Sequence, residues 1–144
     1  EPYLAWLTEI DRPAVFLITA SDYASPSRGY AAARRHPRLN VLLCQADPTP
    51  VCQSHAIDAA RTARTRNDAR LFVDTSYMSA TAIRTAVEAL GAGRVLLGSN
   101  ALAMGESQIP RQITLLDDLR KTLPATEFAG VVGGNAARIF YLAN

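Results

Sequence analysis

Three aspartates and one asparagine carry the clearest chemical potential in this chain. Asp22, Asp47 and Asp74 each stand at or just past the end of a short apolar run, and Asn100 closes the run Arg94-Val-Leu-Leu-Gly-Ser-Asn100. Carboxylates that converge on one pocket can bind a cation or exchange protons with a substrate. Aspartates also cap helices and close turns, and Asp47 stands directly before Pro48, so the local role carries more weight for each of them. Asp74 is the strongest candidate, because a rigid apolar run delivers it together with Thr75 and Ser76.

A second group is Cys44, Cys52 and His55, with Cys52-Gln-Ser-His55 at a ligand-like spacing. A metal site needs three or four converging donors, and Cys44 lies inside an apolar run. A core cysteine and a helix start explain this group better than a metal does. His36 precedes Pro37, where it can satisfy the open carbonyls of a helix end. Gly98-Ser99-Asn100 and Gly133-Gly134-Asn135 lack the glycine spacing and the lysine of a phosphate-binding loop. Their glycines read as tight backbone, and Asn135 as the N-cap of a last helix. Tyr77 with Met78, and the group Ile139, Phe140 and Leu142, read as core.

The elements that must position these residues follow from the apolar rhythm. Val15–Ile18, Val41–Cys44, Leu71–Val73 and Val95–Leu97 are short, apolar and bounded by polar residues, as strands buried on both faces are. Helices fill the gaps. Ala82, Ile83, Ala86, Val87 and Leu90 share one helical face, with Ser79 or Thr81 as N-cap and Gly91 as stop. Residues 29–35 and 51–66 form earlier helices, Pro110 opens another, and residues 2–10 end a helix packed by Leu4, Trp6 and Leu7. Four strands alternating with helices predict an α/β chain of four βα units with right-handed crossovers. Half of a (βα)8 barrel is one solution and an open parallel sheet the other. In both, the functional surface is the carboxyl edge of the strands. That edge comprises Thr19 to Asp22, Gln45 to Asp47, Asp74 to Ser76, and Ser99 with Asn100.

The chain has 144 residues, enough for one domain over residues 1–144 with a real core. Hydrophobic residues make up 49% and charged residues 19%, which excludes a disordered composition. Net charge is +2, from fourteen arginines and Lys121 against 13 acidic residues. Arg61, Arg64, Arg66 and Arg70 are the densest basic group and read as a solvated helix face. They lack the interleaved aromatic or glycine residues of a nucleic-acid surface, so no nucleic-acid partner is expected. No stretch of about 18 apolar residues spans a membrane, and no signal peptide is visible. Two cysteines make no disulfide framework, which points to the cytoplasm. The start at Glu1, without an initiator Met, suggests that something upstream was removed or that this is a piece of a longer protein.

The strand ends, taken in order, resemble the amidohydrolase superfamily, in the branch of metal-dependent hydrolases, lactonases and non-oxidative decarboxylases. Four stretches carry the resemblance: His36-Pro37-Arg38-Leu39-Asn40-Val41, Val73-Asp74-Thr75-Ser76, Arg94 to Asn100, and Gly133 to Phe140. They resemble the entry to the sixth strand, the seventh strand, the eighth strand and the closing helix of that barrel. The chain would then be its carboxyl-terminal half. Family members bind one or two divalent metals, zinc or a similar ion. The ligands are a His pair on the first strand, a His ending the fifth strand, a His ending the sixth and an Asp ending the eighth. The resemblance places Thr19, Gln45 and Asn100 at the last three of these positions. Shifting Thr19 or Gln45 by one residue restores no ligand, since neither strand contains a histidine.

Neutral amide and hydroxyl oxygens are poor zinc ligands, and an asparagine cannot act as a general base near neutral pH. No metal or other cofactor is therefore expected on this chain. One expectation is a pseudoenzyme or binding module, with Thr19, Ser21, Gln45, Asp74 and Asn100 around a polar small molecule or a partner. Another is the carboxyl-terminal half of a hydrolase or decarboxylase, with Asp74 or Asn100 contacting substrate and an amino-terminal half completing the site. A third concerns assembly, because a half barrel leaves open sheet edges that a second copy could cover.

Overall fold

The computed structural model describes residues 2–45, 47–101, 105 and 107–141. Ala46 and Leu142, named above at the strand edge and in the terminal apolar group, lie outside them. Helix α1 (Pro2–Glu9) leads into β1 (Ala14–Ile18), followed by α2 (Pro26–Arg34), β2 (Asn40–Gln45), α3 (Pro50–Arg66), β3 (Arg70–Asp74), α4 (Ala80–Leu90) and β4 (Val95–Leu96). Next come α5 (Gln108–Thr122), α6 (Ala125–Ala129), a π-helical segment (Gly130–Gly134) and α7 (Asn135–Phe140). Among the described residues four strands form one sheet in the order β1-β2-β3-β4. Every pairing is parallel, as helical crossovers between successive strands require.

Local chemistry sets the helix ends. Thr49 caps α3 by accepting the Cys52 amide, Pro50 opens it, and Asn67 ends it in the left-handed conformation. At α4 the alternative between Ser79 and Thr81 resolves to Ser79, whose hydroxyl accepts the Ala82 amide, and Gly91 follows at φ 79°. Helix α5 starts at Gln108, so Pro110 lies inside its first turn instead of opening it. Its missing N–H is one that a first turn leaves unpaired in any case.

Two faces of the sheet have different fates. One face packs on the helices: Val41, Leu43, Leu71, Val73 and Val95 join Ala33, Ala56, Ala60, Ala63, Ile83, Ala86 and Leu90 in the main core. Small residues let α2 and α3 lie close to the strands. At Gly29 even a Cβ would come within 2.7 Å of the Leu43 side chain. The other face carries a smaller cluster of Leu42, Phe72, Leu96 and Ile139, the last brought over by α7. Period-two alternation puts Cys44 and Asp74 on this same face at its carboxyl end. Asn40, Arg70 and Arg94 stand at its amino end. On edge strand β1, Val15 and Leu17 of this face are exposed, Leu17 by 66%.

Four readings of the sequence change here. Asn135 is not an N-cap; it is helical and nearly fully buried. Its amide donates to the carbonyls of Ala92 (2.7 Å) and Val95 (2.8 Å), tying α7 to the start of β4. The backbone runs right-handed from α6 through the π-helical turns, so no cap is needed there. Trp6 does not pack α1 onto the core; it is half exposed and stacks near Tyr3, while Leu7 is buried. Arg70 is not part of a helical basic face, because it opens β3. Strand β4 ends at Leu96, and the Leu97 amide instead donates to the Val131 carbonyl.

Candidate functional site

Asp74 organises the carboxyl edge. Its side chain is almost fully buried and accepts four hydrogen bonds. Oδ1 takes the backbone amides of Gln45 (2.9 Å) and Ser76 (3.3 Å). Oδ2 takes the Ser76 hydroxyl (2.7 Å) and the Cys44 thiol (3.4 Å). Parallel pairing of β2 with β3 makes this possible, because Leu43 stands opposite Val73 and so Cys44 lies beside Asp74. Burial raises the Asp74 carboxyl above the usual range, against the donors that favour its charged form. Cys44 responds in kind: burial and then the neighbouring carboxylate push its thiol up to about 12, so it stays protonated as a donor.

Gly98 is part of this arrangement. A Cβ there would meet Asp74 Oδ2 and lie 2.6 Å from Ser76 Oγ. The Gly98 amide donates to Thr75 Oγ1 (3.1 Å), and the Thr75 amide to the Leu96 carbonyl (3.0 Å). The glycine before Ser99 therefore serves close packing of backbone against a carboxylate, more specifically than the tight backbone its sequence suggested.

The other candidates occupy separate settings. Gln45 is fully buried, on the helix-facing side of β2 with Val41 and Leu43, and its Nε2 donates to the Asp74 carbonyl (3.2 Å). Its Oε1 has no hydrogen-bond partner. Thr19 follows β1 and pairs with Ser21 hydroxyl to hydroxyl at 2.7 Å. Asn100 adopts a left-handed backbone at φ 51°, and its amide Nδ2 donates to the Tyr77 hydroxyl. Tyr77 is itself left-handed, and Arg111 donates to its carbonyl (3.1 Å). The core reading of Tyr77 thus gives way to a partly buried tyrosine bonded to Asn100, whereas Met78 beside it is buried.

The three aspartates do not share one cluster. Asp47 accepts the amides of Thr49 (2.8 Å) and Ala20 (3.2 Å), which hold its carboxyl below the ordinary range. It is a turn aspartate that also ties the β1 loop to the β2 loop. Asp22 lies exposed in a single 3-10 turn. Cys52 is buried at the start of α3, and Cys44 and Cys52 are free thiols. His55 lies on α3 facing a shallow groove with Tyr30 and Asp58. Cys44 is the participant that sequence reasoning assigned to the core alone. The signal was its position two residues after Leu42, which puts it on the same face as Asp74 once the strands pair.

The family model for amidohydrolases matches residues 1–142. The chain belongs to the amidohydrolase family. Its fold is shared with a zinc-bound amidohydrolase from Burkholderia multivorans, at a TM-score of 0.70 and 18% identity. A 4-oxalomesaconate hydratase from Rhodopseudomonas palustris has the same fold at 0.63 and 17%. Both alignments cover 97% of this chain, but only 56% and 49% of those chains. This amidohydrolase chain therefore spans about half the length of the two solved structures, as four βα units of a half barrel do. No curated protein matches it.

The donor set can be tested against the divalent metal that the family resemblance implies. Among the described residues no group of three or more His, Cys, Asp or Glu side chains converges. At the three strand ends the side chains are a hydroxyl and two carboxamides. Gln45 and Asn100 are already bonded to the Asp74 carbonyl and the Tyr77 hydroxyl. Asp74 is the one carboxylate of this edge buried on the inner face, and its oxygens are saturated by four donors. These residues do not fit a catalytic divalent ion on their own.

Proposed function

We propose that this amidohydrolase half barrel is a binding module, a pseudoenzyme whose pocket takes a polar small molecule at the carboxyl edge of the sheet. The observation that carries this reading is the set Thr19, Gln45 and Asn100 at the strand ends where the family resemblance calls for metal ligands. Neutral hydroxyl and amide groups bind polar ligands by hydrogen bonds and leave nothing to activate water. Thr19, Ser21 and Asn100 would supply the contacts, with Gln45 and Asp74 holding the edge beneath them. The setting we propose is the cytoplasm, where Cys44 and Cys52 stay reduced.

Metal analysis of protein purified without chelators tests this. The expected result is zinc and manganese well below one ion per chain; one ion per chain overturns the reading. A Gln45→His, Asn100→Asp double variant should still fail to hold a stoichiometric ion, because Thr19 leaves the set short of a ligand.

A second reading is favoured by the spans of 56% and 49% over the two solved structures. The chain would be the carboxyl-terminal half of a hydrolase or decarboxylase, completed by an amino-terminal half that brings the His pair. The exposed Val15 and Leu17 on β1 are the apolar surface such a half would cover. A distinct half fits this face better than a second copy. Two copies closing one barrel would bring Arg70 and Arg94 of each chain to the same end, where like charges repel. Light scattering at high concentration checks this: a closed dimer would favour the second copy. A His-x-His motif ending an apolar strand upstream of Glu1 would favour the active enzyme.

A further inference from the structure

The amino end of the inner face holds three arginines with no ion-pair partner among the described residues. Arg70 opens β3, Arg94 immediately precedes β4 and Arg138 reaches across from α7. All three line one cavity of about 590 Å³, together with Asn40, Phe72 and Tyr141. Each guanidinium is anchored to a backbone carbonyl by one nitrogen. Arg94 donates to Leu71 (3.1 Å), Arg138 to Gly93 (2.7 Å) and Arg70 to Arg38 (3.3 Å). Arg94 also lies over the Phe72 ring, 5.7 Å from its centroid. A guanidinium has five N–H donors, so these anchors fix orientation and leave donors for a ligand.

No carboxylate among the described residues pairs with any of the three, and Asp68 and Asp58 pair elsewhere, with Arg34 and Arg61. Burial, and then Arg64, Arg138 and Arg70, hold the Arg94 guanidinium below its usual range, so cations dominate its surroundings. Asp11 is engaged at the Tyr141 hydroxyl, and Arg12 lies over the Tyr141 ring at 5.5 Å. Arg70 also borders an adjoining cavity that contains Glu9, Asp11, Arg12 and Arg38. Cations held together without counter-charge raise the free energy of the folded state, and an anion that enters relieves it.

We propose that this cavity is a binding site for a compact oxyanion of at least two negative charges, a phosphoryl or dicarboxylate group. It is distinct from the carboxyl-edge pocket, being at the opposite end of the strands, and it rests on the reading in which this sheet face stays uncovered, because an amino-terminal half closing the barrel would cover it. Planar forks suit bidentate contact with phosphate or carboxylate oxygens. Anchored guanidiniums lose little freedom on binding. Convergence of the three forks on one cavity favours a compact anion over an extended nucleic-acid backbone.

The test is calorimetric titration of the protein with inorganic phosphate and, separately, with succinate, at constant ionic strength set by chloride. The expected result is saturable binding at one site per chain, with phosphate or succinate the tighter according to the source of the oxyanion. Arg138→Gln and Arg70→Gln should each weaken binding tenfold or more. Arg61→Gln, which alters an exposed pair on α3, should leave it unchanged. Arg94→Gln should abolish binding; because Arg94 also supports Phe72, the two other variants decide the matter if that one fails to fold. No saturable binding of either anion, or equal weakening by Arg61→Gln, overturns the proposal.

Discussion

The two ends of one sheet solve opposite electrostatic problems. At the carboxyl end a single buried carboxylate, Asp74, is surrounded by four donors from Cys44, Gln45 and Ser76, all of them neutral. At the amino end three guanidiniums face a cavity with no paired carboxylate among the described residues. Burial penalises charge at both ends; the carboxyl end saturates its one carboxylate with four donors, whereas at the amino end each guanidinium is anchored to a backbone carbonyl by a single nitrogen. A buried group that is fully satisfied rigidifies its surroundings, whereas clustered cations retain the capacity to bind something else. The carboxyl end is thus finished as structure around Asp74, and the amino end is electrostatically open.

Substitutions can break this contrast. The largest effect is expected at Gly98. Gly98→Ala places a methyl against Asp74 Oδ2 and Ser76 Oγ, and two backbone amides keep the carboxylate from retreating, so the cost should be about 2–3 kcal/mol in urea unfolding. A loss below about 0.5 kcal/mol, the range of ordinary surface changes, would mean that Asp74 is not held as described. Next is Asn135→Ala, which strips the Ala92 and Val95 carbonyls of their donor and should cost about 2 kcal/mol. A smaller loss would show that α7 is not tied to β4 through this amide.

Asp74→Asn sharpens the comparison through pH. The folded state holds the Asp74 proton to higher pH than the unfolded chain, whose ordinary value is near 3.8. Stability from this group is therefore complete below that value and declines as pH rises through the raised folded value. The asparagine variant, which can keep the Gln45 and Ser76 amides on its oxygen, escapes that decline. It should match the parent near pH 3 and melt roughly 2–4 °C higher at pH 7. A variant that melts lower at pH 7 would show that the charged form is the stabilising one. The smallest effect is Arg70→Gln, expected to change stability by less than about 0.5 kcal/mol and in the stabilising direction. The gain should fade in 1 M salt, where screening acts over about 3 Å; a gain independent of salt would argue against cation repulsion.

Much of the scaffold was legible because its signals are local. The four apolar runs became four strands within a residue or two, and Ser79 and Gly91 mark the ends of α4, Ser79 by a side-chain cap and Gly91 by a positive-φ backbone, both acting within a turn. Asn135 was misread for the same reason: an asparagine after two glycines looks like a cap, and nothing in the neighbouring sequence announces the Ala92 and Val95 carbonyls some forty residues away. Period-two alternation implied that Cys44 and Asp74 share parity with their own strand neighbours. It could not show that β2 and β3 pair in the register that sets them side by side.

The residue types at the strand ends, hydroxyl and carboxamide at Thr19, Gln45 and Asn100, were determined by the sequence alone. So was the parallel order that brings those ends to one edge, because helical crossovers of this length permit little else. Only the tertiary structure decided what those side chains do. Gln45 turned to the helix-facing side and Asn100 to Tyr77, since side-chain direction depends on register and loop conformation. Only packing across the sheet gathered Arg70, Arg94 and Arg138, which are 24 and 44 residues apart along the chain. Charge interacts through space, so its balance is set where strands meet and is invisible along the chain.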